Sequence, residues 1–318
     1  MNKKMHLIKW LFLIAVFAIS TISLKAQEML VASYNIRYNS WQDSVNGEMW
    51  PKRCQVLCDQ VNFMAPDIFG TQEVLYGQLN DMLKALDGYD YIGVGRDDGI
   101  HGGEHEAIFY KKDKLKLLDH GDFWLNETPD KPALGWDAAC IRVCTWGKFE
   151  MKTGEKRKAK RKSFVFYYFN LHMDHVGVVA RREAAKLVME CLGTMAKGYP
   201  VVLTGDFNVD QTNEIYNIFT SSGQLKDSYD NARIRFAENG TFNNFKIDNF
   251  SNSRIDHVFV SPDFDVEAYG VLTDSYWTAN EQSDKAHKAF DAPQEISFQQ
   301  YTRHNLSDHY PVFVKLRF

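Results

Sequence analysis

Six times along this chain, a short apolar run of strand length adjoins a tight group of polar side chains. The groups are Ser33-Tyr34-Asn35, Gly70-Thr71-Gln72-Glu73, Asn170-Leu171-His172, Thr204-Gly205-Asp206-Phe207-Asn208, Arg254-Ile255-Asp256-His257 and Ser307-Asp308-His309. One such group would be an ordinary turn, because Asp and Asn are common where strands end. Six constrain the fold. Apolar runs this short are buried in sheets, and strand ends of a layered sheet converge on a rim where ligands gather.

The remaining pattern agrees with layers. Leu30 to Tyr34, Asp67 to Gly70, Ala107 to Tyr110, Ile141 to Phe149, Ser163 to Phe169, Val201 to Leu203, His257 to Val260 and Pro311 to Phe318 read as strands, the last with Val312, Val314 and Leu316 turned inward. Pro51 to Met64 and Leu75 to Leu86 read as helices. Ala180, Ala184, Leu187, Val188, Cys191, Leu192 and Met195 recur at helical spacing, so 180–195 is a helix with one buried face. Many strands with interspersed helices predict an α/β architecture of mixed sheets. With 45% hydrophobic and 25% charged residues, and no repeat or Pro/Gly/Ser linker, residues 27–318 are expected to form a single domain.

Residues 1–26 read as a signal peptide. Lys3, Lys4 and Lys9 precede an apolar run from Trp10 to Ile19, and Ala26 offers a small residue for cleavage before Gln27. The run falls short of the roughly 20 residues of a membrane span, so no transmembrane helix is expected to be retained and the product is expected to be periplasmic or secreted. Without its four leader lysines the chain keeps 33 of its 37 basic groups against 41 acidic ones. That balance argues against tight nonspecific binding to duplex nucleic acid. The exception is Lys148 to Lys162, eight basic and two acidic residues between two strand-like runs, which reads as the solvated tip of a hairpin. Five cysteines, with no Cys-x-x-Cys, read as small buried hydrophobes rather than a zinc site or a disulfide framework.

The polar groups form a coherent chemical set. Glu73 and Asp308, with Asn35 as a neutral oxygen, are hard ligands that suit Mg²⁺, with Mn²⁺ as a substitute. Asp206 can accept a proton from attacking water, and Asn208 shares its face if the segment is extended. His172 and His309 can donate to phosphate, and Asp256 is the expected orienting carboxylate for His309. Charge neutralisation, a positioned nucleophile and aimed donors are what metal-assisted phosphoryl hydrolysis requires.

In this order, Asn35 in Ser-Tyr-Asn-Ile-Arg, Glu73 in Thr-Gln-Glu-Val, His172 in Asn-Leu-His, Asp206 and Asn208 in Gly-Asp-Phe-Asn, Asp256 in Arg-Ile-Asp-His, and Asp308 with His309 in Ser-Asp-His-Tyr-Pro-Val, the chain resembles the endonuclease/exonuclease/phosphatase superfamily. That group contains DNase I-like nucleases, apurinic endonucleases, inositol polyphosphate phosphatases and bacterial sphingomyelinases. The resemblance implies a four-layer α/β sandwich, two mixed sheets facing each other between helices. It implies that Glu73 is the principal metal ligand with Asn35 and Asp308 nearby, that Asp206 positions or deprotonates water, that Asn208 holds the water or the phosphate, that His172 binds phosphate, and that Asp256-oriented His309 stabilises the transition state. Arg37 stands where apurinic endonucleases carry an acid. The stretches Val94 to Gly99, Phe123 to Pro129, Gly135 to Ala139 and Leu171 to Gly177 look like a bacterial branch of the superfamily.

Arg37, Arg96, Arg142 and Arg254 are candidate phosphate contacts, because guanidinium grips phosphate bidentately, and Trp136 is a candidate cleft wall. Asp174 and His175 are expected to bind their own loop rather than a second metal, and His101, Glu104, His105 and Glu106 to form a loop over the site. The expected function is an exported, Mg²⁺-dependent phosphoesterase acting on a mono- or diester of a phosphorylated small molecule, a lipid headgroup or a nucleic acid. No obligate protein partner is inferred. The alternatives are a secreted nuclease and a sphingomyelinase-like phosphodiesterase. An inactive binding module is the least expected, since every catalytic position is filled.

Overall fold

A computed structural model describes residues 27–152, 163–288 and 290–318. The leader and most of the basic hairpin tip lie outside the described residues. One sheet holds seven strands: β1 (Glu28–Asn35), β2 (Ile68–Gln72), β3 (Tyr89–Ile92), β4 (Ile108–Lys111), β10 (Ile234–Phe236), β12 (Asp265–Val271) and β13 (Val312–Arg317), in the order β10-β12-β13-β1-β2-β4-β3. The other holds six: β5 (Leu115–Trp124), β6 (Val143–Met151), β7 (Val165–His172), β8 (Val201–Asp206), β9 (Lys226–Asp227) and β11 (Asp256–Val260), in the order β9-β11-β8-β7-β6-β5. Helices α1 (Trp50–Met64) and α2 (Tyr76–Ala85) cover the first sheet through Leu57, Val61, Leu79 and Met82, and α3 (Val178–Met195) covers the second through Ala184, Ala185, Val188 and Leu192. The result is the four-layer sandwich. Among the described residues no helix is long and apolar enough to cross a membrane.

Side chains alternate across each strand, so every second residue faces the opposing sheet. Along that inner face the character changes in steps. At one end of the sandwich Val31, Ile68, Tyr168, Val202, Val258 and Val314 form an apolar core. A hydrogen-bonded layer follows: Gln72 Nε2 donates to Ser33 Oγ at 3.3 Å and to Asn170 Oδ1 at 2.7 Å, which also accepts from Thr204 Oγ1 at 3.0 Å. Beyond it come Asn35, His172, Asp206 and Asp256. Gly70 is required in the middle layer, because a Cβ there would lie 2.1 Å from Asn170 Oδ1 and 2.5 Å from Thr204 Oγ1.

The strands therefore run further than their apolar runs suggest. Asn35, Gln72, His172 and Asp206 are strand residues rather than turn residues, with Asn35 paired to Gln72 in parallel register and Asp206 paired to both His172 and Asp256. Each sheet contributes the same local device. Two parallel strands end at the rim, and an antiparallel third begins there: β1 and β2 with β13, and β8 and β7 with β11. Strands β6 and β7, on either side of the basic segment, pair antiparallel. The five cysteines are free thiols.

Candidate active site

The rim opens into a cleft of about 1030 Å³, with Glu73, Asp206, Asp308, His172 and His309 on its floor. Asn35 joins the two sheets there. Its Nδ2 donates to Glu73 Oε1 and to Asp206 Oδ2, each at 3.0 Å, while its Oδ1 accepts from the backbone N–H of Arg37 at 3.1 Å. Asn35 thus offers the floor its nitrogen, not the oxygen expected of a metal ligand. It holds the two carboxylates instead.

Three site residues have left-handed backbone: Arg37 (φ 61°), Glu73 (φ 65°) and Asn208 (φ 49°). Such conformations cost about 1–3 kcal/mol each and persist where surrounding bonds impose them. At Glu73 the bend aims the carboxylate back toward the loop that follows β1, where Tyr38 N–H donates to Oε2 at 3.2 Å. At Asn208 it corrects the expectation of an extended Asp206-Phe207-Asn208. The chain turns, Asn208 N–H donates to Asp206 Oδ1 at 3.0 Å, and its amide lies 3.0 Å from His172 Nε2 and 2.9 Å from the Met173 carbonyl oxygen. Asn208 therefore orients Asp206 and His172 rather than sharing Asp206's face.

His309 Nδ1 lies 2.8 Å from Asp256 Oδ2, and its Nε2 lies 3.7 Å from Asp206 Oδ2. Burial alone would disfavour the charged ring, but Asp256 and Asp206 outweigh it and hold its pKa well above the ordinary value. His309 is a cation aimed at the floor. His172 is its opposite, driven well below the ordinary value by burial and then by Arg142 and Arg96, so it is neutral. Asp206 is pushed up to about 7, by burial first and by the charge of Asp256 second. It can exchange a proton near neutral pH.

Asp308 and Glu73 approach the same nitrogen of Arg37, at 3.7 and 4.0 Å, and Arg37 is gripped by Asp43 through two bonds of 3.0 Å. Burial raises the pKa of Asp308. Two carboxylates converging on a positive group suit a hard divalent cation, so the donor set fits one, with Glu73 and Asp308 as its holders. Ligand atoms of Glu73, Asp206 and His309 lie within 4.8 Å of one another, yet a protonated His309 has no lone pair to give.

Of the arginines, Arg37, Arg96 and Arg142 line the cleft. Arg254 does not. It turns to Asp227 at 3.3 Å and covers the Tyr229 ring at 3.6 Å. Trp136 is not among the cleft residues either and packs on the core under α3. Asp174 accepts four backbone N–H bonds, from Ala139, Cys140, Val176 and Gly177, which makes it a loop staple, as expected, whereas His175 departs from the expectation by lining the cleft with its Nδ1 3.3 Å from Arg142 Nη2.

The sequence reading missed Arg53, which is fully buried on α1. It donates to the carbonyls of Glu48, Ile36, Leu306 and Arg37, tying together the two loops that carry Arg37 and Asp308. An arginine at helical spacing among apolar residues was the available signal. Glu104 and Glu106 were placed in a covering loop; Glu104 lines the cleft and Glu106 is buried behind it.

The family model described as "Endonuclease/Exonuclease/phosphatase family" matches residues 32–309. An endonuclease/exonuclease/phosphatase family protein from Bacteroides thetaiotaomicron is 48% identical, covering 92% of this chain and 99% of that one, with a TM-score of 0.82. A mannosyl-6-phosphatase of the same organism is 49% identical over 91% of this chain and all of its own, with a TM-score of 0.81. The uncharacterized protein L388 of Acanthamoeba polyphaga mimivirus is 26% identical over 169 residues, and the match spans 51% of this chain and 60% of the length of that curated relative.

Proposed function

The chain belongs to the endonuclease/exonuclease/phosphatase family, and we propose that it is an exported, Mg²⁺-dependent phosphatase that hydrolyses the phosphate monoester of a small sugar-like molecule. One observation carries the reading: a compact floor with a proton acceptor, a cationic imidazole and two convergent carboxylates lies in a chain that is 49% identical, over 91% of its length, to a mannosyl-6-phosphatase.

Asp206, held by Asn35 and the Asn208 N–H, takes a proton from the attacking water. His309, charged and fixed by Asp256, donates to a phosphoryl oxygen as negative charge develops there. Neutral His172 accepts the Asn208 amide N–H at Nε2, so its own proton sits on Nδ1, the nitrogen that can donate to a second oxygen. The free edge of the Arg37 guanidinium faces the same space. A divalent cation held by Glu73 and Asp308 would neutralise charge on the phosphoryl group. The leader reading assigns the enzyme to an exported compartment.

Chain lacking residues 1–26 should release inorganic phosphate from mannose 6-phosphate in Mg²⁺ and lose that activity in EDTA. Turnover that survives EDTA overturns the metal requirement. Cleavage of oligonucleotides without release of phosphate from any sugar phosphate favours a nuclease instead.

A further inference from the structure

Among the described residues, sixteen buried side-chain nitrogens and oxygens have no hydrogen-bond partner, and six of them gather at one wall of the cleft: Arg96 Nε, Arg142 Nε and Nη1 and His172 Nδ1 on residues that line it, and both oxygens of Glu106 buried behind them. Buried polar atoms are almost always paired, so such a concentration calls for a ligand. The side chain of Arg142 is only 5% exposed, yet it lines the cleft. Its approaches to Glu104 at 3.9 Å and Asp174 at 3.8 Å are too long for hydrogen bonds. The close contacts are Arg96 to Glu104, at 2.5 Å, and Arg142 Nη2 to His175 Nδ1, at 3.3 Å, which leave Arg96 Nε and Arg142 Nε and Nη1 unpartnered.

Charge decides what fits. Arg96 and Arg142 are offset by Glu104 and Asp174, while burial, and then Glu104 beside it, favour the neutral form of Glu106. The wall is near neutral and has no surplus positive charge for a second phosphate. It does have fixed donors and acceptors at close quarters, and a hydroxyl is both donor and acceptor.

We propose that this wall, with Arg96, Arg142 and Glu104 at its face, is the leaving-group subsite and takes the hydroxyls of a sugar. The two arginines donate to hydroxyl oxygens and Glu104 accepts from a hydroxyl, while the phosphate lies across His172 on the floor. This revises the phosphate role expected for Arg96 and Arg142. It rests on the phosphatase reading above.

The test compares kcat/KM for mannose 6-phosphate with kcat/KM for phenyl phosphate, whose leaving group has no further hydroxyls. A site built for hydroxyls discriminates strongly once a bond is lost. Glu104→Gln and Arg142→Met should each lower the sugar-to-aryl ratio on the order of tenfold or more. Equal loss on both substrates, or an unaltered ratio, overturns the subsite. A direct measurement does not depend on turnover: free mannose should bind the wild-type chain in saturation-transfer NMR and fail to bind Glu104→Gln, whose melting temperature shows whether it is folded. Mannose binding without hydrolysis of any monoester would sink the phosphatase reading and keep the subsite. Hydrolysis with no preference for hydroxylated leaving groups would do the reverse.

Discussion

Asp206 and Glu73 are separated by a single amide, that of Asn35, which bonds both at 3.0 Å. Their tasks differ nonetheless. Asp206→Asn keeps the shape and removes the proton acceptor, so kcat should fall on the order of 10²-fold or more while calorimetric Mg²⁺ affinity changes little. Glu73→Gln should weaken Mg²⁺ binding, and excess Mg²⁺ should restore part of the rate. If Mg²⁺ affinity falls equally in both variants, Asp206 is a metal ligand and the division of labour is wrong. At this scale the sequence was legible wherever a side chain is short and its strand dictates its direction. Asn35, His172, Asp206 and Asp256 converge for that reason, while Glu73, Asp308 and His309 come in on the bends that follow β2 and precede β13. Arg254 and Trp136 were not legible, because a long or bulky side chain on a loop goes where a distant partner draws it: Asp227 and Tyr229 for one, the core under α3 for the other.

Helix positions were readable from periodicity, with α3 beginning at Val178 rather than Ala180. Strand ends were not, because the inner-face residues near the rim are polar and look like turns while remaining in the ladder. The layer of Ser33, Gln72, Asn170 and Thr204 is what lets strands continue out of oil and into a charged floor. Gly70→Ala tests it, since the added methyl meets Asn170 and Thr204 at once. It should destabilise the protein by about 1–3 kcal/mol, read from denaturant midpoints, as overpacking does. Activity should fall as well, because Asn170 lies two residues from His172 on the same strand face. A fully stable, fully active Gly70→Ala protein would show that the layer is loose.

For the molecule as a whole, two buried imidazoles that are not part of the floor make stability depend on pH. His257, packed among Phe207, Tyr216 and Phe259, and His105, bonded to the Val74 carbonyl, are both lowered by burial. Their folded pKa values lie below the unfolded one of about 6.5, so the unfolded chain takes up protons first and stability falls as pH drops below about 6.5. Each group contributes at most about 1.4 kcal/mol per pH unit. Asp206 and Glu106, raised by burial, act in the opposite direction, so a variant isolates the imidazole: between pH 7 and pH 5 the melting temperature of His257→Gln, whose amide can keep the bond to the Val209 carbonyl, should shift upward relative to that of the wild type, and an identical slope would exclude His257 as a source. A different constraint comes from β1 lying against β13, with Glu28 opposite Arg317. β1 waits beside an empty place until β13 arrives, and Asp308 and His309 arrive with it. Two segments far apart in the sequence must therefore meet before either is seated, and until they do the seven-stranded sheet is split and the two halves of the floor face nothing.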